Sequence, residues 1–106
     1  MISTPEQLAD FTARLDTHKV IGLDTEADSL HSYHEKICLL QIASPDGYFL
    51  VDPLAGGLDL SGFYASLKPH TIIIHGADYD LRLLGRHPAF DASDIFDTSI
   101  AARFLG

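Results

Sequence analysis

Tryptophan is absent from the 106 residues, and cysteine occurs once. The single thiol, Cys38, stands between Ile37 and Leu39, which excludes an intrachain disulfide and a thiolate metal cluster. It reads as a small buried hydrophobe, and the lack of disulfides points to a reducing, cytoplasmic setting. Basic residues are also few: seven Lys plus Arg against fifteen Asp plus Glu, a formal charge of −8. That balance excludes a general electrostatic grip on a phosphate backbone. A nucleic-acid role would need cations held by acids, or basic surface outside this chain. No apolar run approaches the roughly 18 residues of a membrane span. The start MISTPEQLADF has no basic head leading into an apolar stretch, so no membrane partner is expected.

What is present is ordinary globular composition, 46% hydrophobic and 21% charged, enough for one domain with one core over residues 1–106. Thr4-Pro5-Glu6-Gln7 has the form of a helix start, with Thr4 as cap, Pro5 at the first position and Gln7 completing a capping box. Leu8, Phe11 and Leu15 then make one apolar face. Val20–Glu26, Glu35–Ser44 and Gly47–Val51 read as strands, the last two joined by the turn Ser44-Pro45-Asp46-Gly47. Leu60, Phe63, Tyr64 and Leu67 lie at helical spacing, and Pro69 stops that helix. The run Thr71–His75 is apolar on both faces, as in a central buried strand with parallel neighbours. A helix follows from about Ala77 to Gly85, then a short extended piece at Asp94–Phe96, then a last helix opened by Asp97 or Thr98. The order predicts an α/β fold: a mixed sheet, antiparallel at first and then parallel, with helices packed on it.

The first strand ends on two acids, in VIGLDTEADSL. Side chains alternate along a strand, so Asp24 and Glu26 share a face with Cα atoms about 7 Å apart. Two carboxylates that close repel unless a cation or a shared proton relieves them, and hard divalent ions such as Mg²⁺ or Mn²⁺ take such oxygen ligands. The alternative is a strand already emerging into a solvated loop, with both acids hydrated. A second acidic place lies in HGADYDLRLL. Asp78 precedes Arg82 by four residues, the favourable order for an exposed helix pair. Asp80 instead shares a face with Ala77 and Leu84, which directs it toward the sheet, where it needs a partner.

The segments VIGLDTEADSL, ICLLQIA, LVDPL, IIIHGADYDLRLL and IFDTSIAARFLG resemble, in order and spacing, the first part of RNase D-like 3'-5' exonucleases. These belong to the DEDD superfamily and have a ribonuclease H-like fold. The resemblance runs from Val20 over nearly the whole chain and matches the family's catalytic, metal-binding acids to Asp24, Glu26 and Asp80. It implies hydrolysis with two divalent metal ions, Mg²⁺ or Mn²⁺, roughly 3.5–4 Å apart: one activates the attacking water, the other stabilises the leaving 3' oxygen. The implied substrate is the 3' end of RNA or single-stranded DNA, with Thr25 and His75 as candidate contacts to it. A non-catalytic nucleic-acid-binding or assembly module on the same fold is the alternative.

In this family a third motif, a Tyr or His followed four residues later by the last metal-binding Asp, lies on a helix beyond the point matching Phe104. Neither Tyr64 nor Tyr79 supplies it, so the expectation is a domain truncated at the C-terminus, inactive or weak as this isolated chain. A shortened sheet leaves a flank uncovered, and Ile100, Ala101 and Phe104 would form an exposed stripe on the last helix, which together predict a homo-oligomer. His31 and His34 lack further ligands at zinc-like intervals and read as loop residues. Asp97 is explained as a helix cap. Gly56-Gly57 has no following Lys and helix, and is no phosphate cradle.

Overall fold

The computed structural model describes residues 1–28 and 36–99. In chain order the elements are α1 (Pro5–Leu15), β1 (Val20–Asp28), β2 (Lys36–Ser44), β3 (Gly47–Val51), α2 (Ser61–Ser66), β4 (Thr71–Ile74), α3 (Ala77–Leu84) and β5 (Asp94–Asp97). They form one five-stranded sheet in the order β3-β2-β1-β4-β5. The β1/β2 and β2/β3 pairs are antiparallel, and β1/β4 and β4/β5 are parallel. This is the mixed sheet that the order of elements predicts, and it agrees with the ribonuclease H-like fold that the resemblance implies.

Local chemistry accounts for the elements. The Gln7 N–H donates to Thr4 Oγ1 at 3.2 Å while the Thr4 N–H donates to Gln7 Oε1 at 3.2 Å, closing the capping box of α1. The β2–β3 hairpin turns at Gly47, whose φ of 134° is outside the range that other residues adopt readily. Alternate residues of the sheet then enter one core. Ile21, Leu23, Leu40, Ile42, Val51, Ile72 and Ile74 pack in a single cluster with Leu8, Phe11 and Leu15 of α1, Phe63 and Tyr64 of α2, and Ala77 and Leu84 of α3.

These helices all cover one side of the sheet, and among the described residues no helix covers the other, open side. β4 is central by neighbours but buried on one face only: Ile72 and Ile74 are buried, whereas Ile73 is 36% exposed. That corrects the expectation of burial on both faces. Val20, Tyr48, Leu50 and Phe96 are exposed large hydrophobic residues as well. The uncovered flank is therefore a sheet face. The helical stripe of Ile100, Ala101 and Phe104 lies outside the described residues, as do His31 and His34. No helix among the described residues is long and apolar enough to cross a membrane.

Candidate active site

The alternation of β1 divides its C-terminal half between two environments. Ile21, Leu23 and Thr25 are buried under the helices, while Asp24 and Glu26 stand exposed on the open face. Asp24 Oδ1 accepts the Thr25 N–H at 3.0 Å. Glu26 Oε1 accepts a hydrogen bond from Gln41 Nε2 at 3.3 Å. Directly after Glu26 the β1/β2 register shifts, an irregularity that bends a strand and re-aims its side chains.

Asp80 reaches β1 from the other side. Gly76, at φ 69° and ψ 58°, turns the chain from β4 into α3, and Ala77, Asp80, Leu83 and Leu84 form the buried face of that helix. Asp80 is only 5% exposed and accepts a hydrogen bond from the Thr25 hydroxyl. Burial raises its pKa above the ordinary carboxylate value; the Thr25 bond opposes that, and the Asp24 charge adds to it. The partner that sequence periodicity demanded for Asp80 is thus Thr25.

A groove of about 340 Å³ runs along the open face beside Asp24, floored by Gly22 and Ala43 and walled by Gln41, Tyr48, Ile73 and His75. His75 is exposed at the end of β4, with Nδ1 2.8 Å from Thr98 Oγ1. A larger hollow, about 550 Å³, lies at the opposite end of the strands against Lys19 and His70. Its one carboxylate is Asp16.

The structure departs from the expected convergence of three acids. Among the described residues, no three His, Cys, Asp or Glu side chains gather where one metal ion would sit. Alternation puts Asp24 and Glu26 on the open face, whereas α3 holds the Asp80 carboxylate against Thr25 on the covered face. As donors, the exposed Asp24 and Glu26 fit a hard divalent cation: both offer carboxylate oxygen on one strand face. Asp80 does not join them in this arrangement. Asp78 is exposed as expected, but no Asp78–Arg82 ion pair forms among the described residues; Arg82 lies over the Tyr79 ring at 5.6 Å.

Sequence reasoning missed two things. Asp97 caps more than its own turn: besides the Ser99 N–H and hydroxyl, its carboxylate accepts the Gly76 N–H at 3.0 Å and the Ala77 N–H at 2.8 Å. These bonds hold its pKa well below the ordinary value and fasten the N-terminus of α3 to the end of β5. Only the Asp-to-Ser spacing was visible in the sequence. The Tyr-x-x-x-Asp spacing also occurs at Tyr48 and Asp52, though on and just beyond a strand rather than on a helix. Asp52 there accepts the Leu54 N–H at 2.9 Å.

A family model described as 3'-5' exonuclease matches residues 1–106. The Ribonuclease D of Psychromonas ingrahamii is 39% identical over 105 residues, which is 99% of this chain and 28% of that protein. Among solved structures, Escherichia coli RNase D superposes over the whole chain with a TM-score of 0.88 at 29% identity, covering 28% of its own length. The catalytic core of RRP6 from Trypanosoma brucei gives 0.90 at 30% identity, over 98% of this chain and 30% of that one. The chain therefore spans under a third of the length of these relatives. Exonucleases of this kind are generally dependent on divalent metal ions. With its sheet order, its Asp24-Thr25-Glu26 strand end and a family match across every residue, the chain belongs to the RNase D-like 3'-5' exonucleases.

Proposed function

We propose that residues 1–106 form the N-terminal part of a 3'-5' exonuclease domain that removes nucleotides from the 3' end of RNA in the cytoplasm. The observation that carries this reading is the exposed Asp24/Glu26 pair at the end of the central strand of an exonuclease-type sheet. Escherichia coli RNase D is described as an exoribonuclease involved in structured RNA processing, which favours RNA over single-stranded DNA. Asp24 and Glu26 are the proposed ligands of Mg²⁺ or Mn²⁺; when bound, the metal supplies an activated water and charge neutralisation at the phosphate. Asp80, buried against Thr25, is proposed as the third acid of the site and needs to turn from Thr25 to serve as a ligand. The Thr25 backbone and the His75 ring, the latter lining the groove, are proposed to contact the terminal nucleotide.

The test uses the natural polypeptide that contains these residues, with Mn²⁺ and a 5'-labelled single-stranded RNA. Progressive shortening from the 3' end, lost in Asp24→Asn, is the expected result. No shortening, with the RNA still bound, would establish the non-catalytic binding module instead. A DNA oligonucleotide of the same sequence decides the sugar preference. The isolated 106-residue chain is expected to be inactive or nearly so.

A further inference from the structure

The open face carries a hydrogen-bonded relay that crosses three strands. In the β1/β2 register Gln41 lies directly opposite Asp24, with Glu26 on the diagonal, opposite Leu39. Diagonal neighbours on one sheet face are within reach of long side chains. Gln41 uses that reach, its Nε2 donating to Glu26 Oε1 at 3.3 Å. On its other side, Gln41 Oε1 accepts the Tyr48 hydroxyl at 2.9 Å, from β3.

The polarity of this relay is chemically determined. A carboxylate only accepts, so the amide nitrogen must face Glu26, and the amide oxygen is left to accept from the Tyr48 hydroxyl. Glu26 therefore selects the amide orientation, and the Tyr48 hydroxyl, donating to the amide oxygen, holds the amide in place. Without this bond, the long Glu26 side chain would spread over several rotamers, and repulsion from Asp24 two residues away would favour those pointing apart.

We propose that Gln41, itself held in place by the Tyr48 hydroxyl, is the positioning residue that sets the Glu26 carboxylate for binding a divalent cation beside Asp24. The proposal rests on the reading that Asp24 and Glu26 hold the cation. Groups that orient a metal ligand typically account for about 10–100-fold in metal affinity or activity.

The test is Mn²⁺ binding, followed by the free-ion electron paramagnetic resonance signal, in the natural polypeptide containing these residues. Gln41→Met keeps the length of the side chain and removes both ends of the relay. It is expected to weaken Mn²⁺ binding by about 10-fold and to lower kcat by more than it raises KM for RNA. Tyr48→Phe removes only the hydroxyl and should show a smaller loss in the same direction. Because Tyr48 acts through Gln41, Tyr48→Phe should add nothing in the Gln41→Met background, a coupling that a general loss of stability would not produce. Wild-type affinity in Gln41→Met, or effects of the two substitutions that simply multiply, would overturn the proposal while leaving the cation site standing. If Asp24→Asn binds Mn²⁺ as tightly as wild type, the pair is not the cation site and the positioning role falls with it.

Discussion

Thr25→Val isolates the contact between the covered face of β1 and α3. Valine has nearly the shape of threonine and suits a strand equally well, so the substitution removes one hydroxyl and little else. That hydroxyl donates to Asp80, which is 5% exposed. Leaving a buried acceptor without its donor costs about 1–3 kcal/mol. In a domain of this size each kcal/mol lowers the melting temperature by roughly 4–8 °C, so a fall of at least about 4 °C is expected at pH 7.

The penalty should also depend on pH, and its sign is determined. Burial raises the pKa of Asp80 in the folded chain, so folding favours the protonated acid. The associated stability is fully present below the unfolded value, near 3.9, and is lost as the pH rises through the folded value. Thr25 holds that folded value down, so the valine variant raises it further and loses more on the way to neutrality. Urea titrations of both proteins at pH 4 and pH 7, read by far-ultraviolet circular dichroism, measure the difference. A penalty that is absent, equal at the two values, or larger at pH 4 would refute the assignment of Asp80 to a buried, Thr25-bound carboxylate.

Asp97 should behave in the opposite sense. Its depressed pKa means that its capping contributes stability above the unfolded value of about 3.9 and loses it as the pH falls toward the folded one. Asp97→Ala should therefore be less stable at pH 7 and show a shallower acid limb in pH-dependent melting. Leu67, fully buried in the core, should cost about 2–5 kcal/mol when cut to alanine, measured by urea denaturation. The open face is expected to drive self-association of the 106-residue chain, with Ile73 and Phe96 exposed side by side in the β4/β5 register. Light scattering should give a mass above the monomer that falls to the monomer in Phe96→Asp; a monomeric mass at all concentrations would refute it.

Whatever depends on the period of the backbone was legible before any coordinates. The capping box at Thr4 and Gln7, the hairpin turn ending in Gly47, and the placement of Asp24 and Glu26 on one face follow from residues a few positions apart. The inward face of α3, with Ala77, Asp80 and Leu84, is of the same kind. These features rest on local sterics and hydrogen bonding, which any stretch of chain carries with it. The direction of the strands was also readable, because a short turn permits only an antiparallel neighbour and a helical crossover suits a parallel one.

Tertiary structure alone decided which groups meet. The covered side of β1 is the Thr25 side because the helices pack there, and that takes Asp80 to Thr25 instead of to the exposed pair. Likewise the Asp97 carboxylate reaches back 20 and 21 residues to the N-terminus of α3 only because β5 lies beside β4. Gln41 lies opposite Asp24 and within reach of Glu26 through the β1/β2 register, which no single strand specifies on its own. Periodicity gives each side chain a face. Its partner on that face is set by register and layer packing, which are properties of the whole sheet.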